Sequence, residues 1–361
     1  MVHDVLGNYR VVAQIGSGSM GVVFLAEHQR IARRVAIKVL APGLVRDQQV
    51  LGRFFIEARA TSLIRHPGIV DVFDCDVDAT GRAYIVLEHL EGETLAERLR
   101  RGGKLHWSAA CLIARRVADA LGAAHPKGIV HRDLKPENIF LVANARDPSA
   151  AVKVLDFGVA KLLAADPVAR LTMRGSMVGT PQYMSPEQCA SADVDHRADI
   201  YALGCILFEM LTGQPPFVTS TIREMVLAHR FRTAPRAAAR STDLPPWLDE
   251  LLARMLAKNP DFRPQSMQEV SKALWQYKAQ RWTQATTTVR AAVTRRRPAA
   301  PTAPERARTT SGSPGAGRAA LRFAVVGVVV LASAIWSVRR NTVVVRPPET
   351  PPKQMAMEAS R

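Results

Sequence analysis

Residues 130–140, VHRDLKPENIF, constrain this chain more than any other stretch. They combine an acid, two cations, a proline turn and an amide. Asp133, Lys135 and Asn138 are spaced so that one rigid loop aims all three side chains at a phosphate, its metal and an attacking hydroxyl. Such a set does little covalent chemistry; it supplies position and charge. The bland alternative is a polar surface turn, and a short motif is tested by its context.

That context begins upstream. From Tyr9 to about Val39 the sequence reads as strands: YRVVAQI, then a Gly-rich turn within IGSGSMGVVFLAEH, then RRVAIKVL. Gly16, Gly18 and Gly21 form G-x-G-x-x-G, a pattern shared with dinucleotide folds. There it opens a helix, with an acidic residue about 20 positions further on. Here it runs into a β-branched strand, VVFLA, and then to Val35-Ala36-Ile37-Lys38. Glycine lets the backbone approach a phosphate with no Cβ in the way. Lys38 has only apolar neighbours, so its ammonium needs an anionic partner. Downstream, AVKVLDFGVAK places Asp156-Phe157-Gly158 after an apolar strand.

Taken in this order, the stretches resemble the protein kinases over about Tyr9 to Tyr277, and in particular the eukaryotic-like (Hanks-type) bacterial transmembrane serine/threonine protein kinases. The resemblance implies that Gly16, Ser17, Gly18, Ser19, Met20, Gly21 and Val22 cover the phosphates of ATP, and that Lys38 pairs with Glu57 from the helical segment 48–66. It implies an adenine site lined by Ile15, Val23, Ala36 and Leu141, with Glu88 and Leu90 as hinge positions and Leu87 guarding the back. Asp133 would take or orient the substrate hydroxyl proton, Lys135 would lie near the γ-phosphate, and Asn138 and Asp156 would bind Mg2+, with Mn2+ as a substitute. A lysine at position 135 is the serine/threonine-type residue, and Thr180 would help hold the substrate. Arg132 before the acid implies control by a loop phosphate, with Thr172 and Ser176 as the candidate hydroxyls. MSPE at 184–187 stands where the family usually has Ala-Pro-Glu, and Glu187 would pair with Arg263. Asp199 would hold the backbone of the 130–140 loop.

The net charge of +17 suggests nucleic acid or an anionic surface only if it lies on the folded part. It does not. Residues 1–275 carry 34 Lys and Arg against 29 Asp and Glu, whereas 276–361 carry 15 against 3. Cys75, Cys111, Cys189 and Cys205 are scattered without a Cys-x-x-Cys pair, which argues against zinc and a disulfide framework and fits buried thiols in a reducing compartment. No cleavable signal peptide is visible in MVHDVLGNYRVV. After Tyr277 the chain is rich in Ala, Pro, Thr and Arg and reads as a disordered basic linker over 278–318. An uncharged run, FAVVGVVVLASAIWSV, follows at 323–338; extended back to Ala319 with Arg322 snorkelling, it is long enough for a single membrane span. Arginines flank it on both sides, so charge does not orient it; the need for ATP places the N-terminal part in the cytoplasm, at the cell (inner) membrane, and leaves 339–361 as a short extracytoplasmic tail.

The expected fold class is α+β: a two-lobed kinase domain over 9–277, with a small β-rich lobe and a larger helical one, followed by the linker and the span. The expected partners are ATP, proteins presenting Ser or Thr, membrane lipid at the C-terminal helix, and a second copy for phosphorylation in trans. Two rivals come from other classes. A pseudokinase scaffold is disfavoured because Lys38, Glu57, Asp133, Asn138 and Asp156 are all present, and a nucleic-acid binder because the charge sits in a linker without interleaved aromatics.

Overall fold

The computed structural model describes residues 4–18, 20–143, 151–157, 181–190 and 193–275, all within the first of the chain's two compact units, Met1–Arg296. Ser19, Gly158, Thr172, Ser176, Thr180 and the whole of 276–361, with the linker and the apolar run, lie outside the described residues.

The N-terminal lobe is a six-stranded antiparallel sheet built from β1 (Val5–Leu6), β2 (Tyr9–Gly18), β3 (Gly21–His28), β4 (Arg34–Leu40), β5 (Val72–Val77) and β6 (Ala83–Glu88), in the order β1-β2-β3-β4-β6-β5. Alternation along β4 sends Val35, Ile37 and Val39 to one face, where they join Phe24, Tyr84 and Val86 in a buried cluster. Ala36 and Lys38 face the other way. In register, Lys38 lies opposite Val23 and Ile85, and Ala36 opposite Leu25 and Leu87. Val23, Ala36, Lys38 and Leu87 thus share one face of this sheet because of a period of two, whereas Leu141 comes from the other sheet.

That second face is partly covered by α2 (Gln48–Ser62), which follows the short α1 (Pro42–Val45). The Asp47 carboxylate caps α2 by accepting the N–H groups of Gln49 and Val50. Phe54, Glu57, Ala58 and Thr61 recur at helical spacing and are its buried residues. Phe54 and Ala58 pack on Leu40, Ala83 and Ile85, which aims Glu57, one turn on, at Lys38. The helix stops at Ser62, short of the expected 66, and the chain has already left the helix when Pro67 disfavours helical backbone at His66. From there the chain is stitched down: Val154 donates its N–H to Gly68 O and Val70 to Val154 O.

The helical lobe begins with β7 (Gly92–Thr94) and α3 (Leu95–Gly102), whose start is a reciprocal capping box between Thr94 and Glu97. Helix α4 (Trp107–Ala124) follows, then β8 (Ile139–Val142) and β9 (Val152–Val154), which with β7 form a three-stranded sheet. Helix α5 (Arg197–Thr212) is apolar almost all round, and 13 of its 16 residues are buried, so other elements must enclose it. It packs against α4 and against α7 (Pro246–Met255), with α6 (Ile222–Phe231) and a last helix, α8 (267–275), alongside. Burial of each large α5 side chain contributes about 1.5–3 kcal/mol. Cys111, Cys189 and Cys205 are buried free thiols, as their scatter suggests; Cys75 departs from that expectation and lies exposed on edge strand β5.

Candidate active site

Three segments converge between the lobes: β4 with α2, the loop 131–138, and the end of β9. Lys38 Nζ lies 2.9 Å from Asp156 Oδ1 and 3.9 Å from Glu57 Oε1, and its side chain is 13% exposed. The closer ion pair is therefore with Asp156, and Glu57 stands at the edge of contact. Burial alone would depress the Lys38 ammonium, but the carboxylates of Asp156 and Glu57 outweigh it and hold the pKa above that of an ordinary lysine. Lys38 is a fixed cation.

The loop is held from beneath. Asp199, 1% exposed at the start of α5, accepts the backbone N–H of His131 at 2.8 Å and of Arg132 at 2.9 Å. Its Oδ2 also meets His125 Nε2 at 2.8 Å. Buried and partnered in this way, Asp199 has its pKa held below the usual carboxylate range: desolvation opposes this, but the hydrogen bond from His125 and the nearby His131 outweigh it. Arg132 adopts φ +62° and Asp156 φ +40°, conformations that cost a non-glycine residue about 1–3 kcal/mol and persist only where surroundings dictate them. At Arg132 they do: Asp199 holds its N–H, Gln188 Nε2 donates to its carbonyl at 2.8 Å, and its guanidinium donates to Val194 O at 3.2 Å.

His131 is fully buried; its ring packs 4.9 Å from that of Phe157 and its Nε2 donates to Leu155 O at 3.0 Å. Burial keeps it neutral by lowering its pKa, despite the pull of Asp199 and Asp133. Above this support, Lys135 Nζ lies 3.2 Å from Asp133 Oδ2, and Asn138 Nδ2 donates to Asp133 O at 2.9 Å. That bond commits the amide N–H of Asn138 to the loop backbone and leaves its oxygen as the remaining polar group. With the Asp156 carboxylate it makes a pair of hard oxygen ligands, the donor type that Mg2+ prefers.

Of the residues that the resemblance assigns to adenine and the hinge, Ala36 is buried, Val23, Leu87, Leu90 and Leu141 are half-buried, and Ile15 is exposed, so this group is not plain core. Gly16 and Gly18 leave room on the Cβ side, but Gly21 does not. A Cβ there would lie 1.9 Å from Val39 O, so this glycine is demanded by the neighbouring strand and not by a ligand. Glu88, assigned to the hinge, is also a half-buried anchor: its carboxylate accepts the N–H of Asp71 at 2.9 Å and pairs with Lys153, whose ammonium reaches Ile69 O. Arg263, fully buried, forms a two-pronged pair with Glu187 at 2.7 and 2.8 Å. His125, Lys153 and Gln188 were not singled out in the sequence. Only proximity to a motif could have flagged Lys153, three residues before Asp156.

The curated relatives point the same way as this geometry. The chain is 44% identical over 269 residues to the serine/threonine-protein kinase Pkn1 of Myxococcus xanthus, covering 74% of this chain and 38% of the relative. It is 38% identical to the serine/threonine-protein kinase PknB of Mycolicibacterium smegmatis, covering 73% and 41%. It thus spans less than half the length of these relatives. Among solved structures, the PknI kinase domain of Mycobacterium tuberculosis aligns with a TM-score of 0.58 at 29% identity, covering 76% of this chain and 97% of that one. The family model described as protein kinase domain matches residues 9–276, a span that contains every charged group of the cleft, and on that match the chain belongs to the protein kinase family.

Proposed function

We propose that this chain is a serine/threonine protein kinase that transfers the γ-phosphate of ATP to Ser and Thr hydroxyls of proteins, its own loop hydroxyls Thr172 and Ser176 among them. One observation carries the reading: the Lys38 ammonium is held between the carboxylates of Glu57 and Asp156, in one cleft with Asp133, Lys135 and Asn138. The names of the relatives support it.

In this reading Lys38 orients the ATP phosphates under the Gly-rich turn, and Ala36, Val23 and Ile15 enclose the base. The substrate hydroxyl oxygen bonds to the γ-phosphorus, the bond to the bridging β–γ oxygen breaks, and the hydroxyl proton passes to Asp133 as ADP departs. Lys135 offsets charge on the transferred group, and Thr180 steadies the incoming hydroxyl. Asn138 and Asp156 would hold Mg2+, or Mn2+ in its place, which supplies neutralisation of phosphate charge. The test is phosphate transfer from radiolabelled ATP. Asp133→Asn is expected to abolish it while ATP binding persists, and full activity in that variant sinks the mechanism.

The reading includes the linker (278–318), a single span at 319–338, a kinase domain (9–277) on the cytoplasmic side and the stub 339–361. Among the described residues no helix is long and apolar enough to cross a membrane, and the apolar run lies outside them. The basic linker suits anionic headgroups better than nucleic acid. Alkaline carbonate should leave the full chain in the membrane pellet and release a chain ending at 318; extraction of the full chain removes the span from the reading. A homodimer acting in trans should place phosphate on the Asp133→Asn chain when active chain is added.

A further inference from the structure

Between α4 and α8, lined by none of the cleft residues, lies a cavity of about 600 Å3. One wall is the α4 face Arg115, Arg116, Asp119 and Gly122; the facing wall is the α8 stripe Gln268, Ser271, Lys272 and Trp275, spaced three and four apart; and His66 closes one end. We propose that this cavity is a binding site for a phosphate monoester.

Asp119 is the carboxylate of the lining, and it is already occupied: Ser271 Oγ donates to one oxygen, and Arg115 Nε lies 3.5 Å from the other. Arg115 is thus balanced by Asp119, and its guanidinium also lies 4.1 Å from the centre of the Trp275 ring. Arg116 and Lys272 are the excess. Among the described residues neither has a carboxylate within salt-bridge reach, and the next acid in the chain after Glu269 is Glu305. Arg115 Nε is buried and makes no hydrogen bond of normal length among the described residues.

The other polar groups fit the same ligand. His66 Nδ1 accepts the N–H of Gly68 at 3.0 Å, which puts a proton on Nε2 and makes that nitrogen a donor. Gln268 spends its Nε2 on Gly122 O at 2.8 Å. Two cations in excess, a neutral imidazole donor and an aromatic wall that fixes a third cation suit a doubly charged, compact anion with several acceptors. A phosphate monoester meets that description, and guanidinium is the side chain best shaped to hold it.

Trp275 makes the site readable. Inorganic phosphate and phosphothreonine are titrated into the full chain while tryptophan emission is followed, in parallel with Trp275→Phe, Arg116→Gln and Lys272→Gln. A saturable change is expected in the unaltered chain and none in Trp275→Phe. Each neutralised cation should weaken binding roughly tenfold, the value of one charge-assisted hydrogen bond. Thermal melting of the variants, expected to match the unaltered chain, separates lost binding from lost folding. Tighter binding of phosphothreonine assigns the site to a phosphorylated side chain, and equal binding assigns it to free phosphate compounds; both support the proposal. No saturable change in the folded chain, or binding undiminished by both Arg116→Gln and Lys272→Gln, overturns it.

Discussion

The buried pair between Arg263 and Glu187 gives a prediction whose sign depends on context. The Arg263 side chain is 0% exposed and that of Glu187 10%. Besides the two bonds to Glu187, Arg263 donates to the carbonyls of Ala257 (2.9 Å), Arg197 (2.9 Å) and Lys258 (3.0 Å). Taking one partner away leaves a buried charge without its counter-ion, at a cost of about 3–5 kcal/mol. Glu187→Leu and Arg263→Met should each lose about that much. Removing both charges together avoids the uncompensated ion, so the double variant should lie well short of the sum, with a coupling of at least about 2 kcal/mol. It should not return fully to the parent, because the three carbonyls lose their donor. Urea unfolding of the four proteins, followed by circular dichroism with a common slope, measures the cycle. Single losses that add to within about 0.5 kcal/mol would refute the claim that charge compensation holds this corner together.

Two further outcomes follow from particular residues. His229 is fully buried, its Nδ1 meets the Tyr201 hydroxyl at 3.0 Å, and burial pulls its pKa down to about 4. The unfolded imidazole titrates near ~6.5, so between that value and about 4 the unfolded chain binds more protons and folding weakens as pH falls, by up to about 1.4 kcal/mol per pH unit. A plot of unfolding free energy against pH should slope in that window and flatten in His229→Gln; an unchanged slope would show that other groups set it. The glycines of the β2–β3 turn should also part company. Gly21→Ala collides with Val39 O and should lower the melting temperature and ATP affinity together, whereas Gly18→Ala, with nothing within 4 Å, should cost at most about 1 kcal/mol of stability.

Much of the cleft could be read in advance because its parts are local. Asp133, Lys135 and Asn138 sit on one loop, and a period of two along β4 puts Lys38 and Ala36 on the same face whatever surrounds them. The end of α2 was less legible: Pro67 bars helix only at His66, and the helix ends four residues before that, at Ser62. Thr180, Ser19 and the loop hydroxyls could be named from sequence but fall outside the described residues.

What the chain determined by itself is the inventory and its order: a glycine turn, a lysine on an apolar strand, a loop with acid, cation and amide, and a second acid after another strand. These are short-range facts, set by backbone periodicity and residue type. Tertiary structure decided which charge meets which. It set Lys38 closer to Asp156 than to Glu57, tied Glu88 to Lys153 across 65 residues, hung the 131–138 loop on Asp199 with His125 beside it, and made Gly21 a servant of Val39. It also faced α4 with α8 to leave two cations beside a cavity. Partners so far apart in sequence leave no periodic trace, because their meeting depends on packing of whole elements and on the cost of burying any charge left alone.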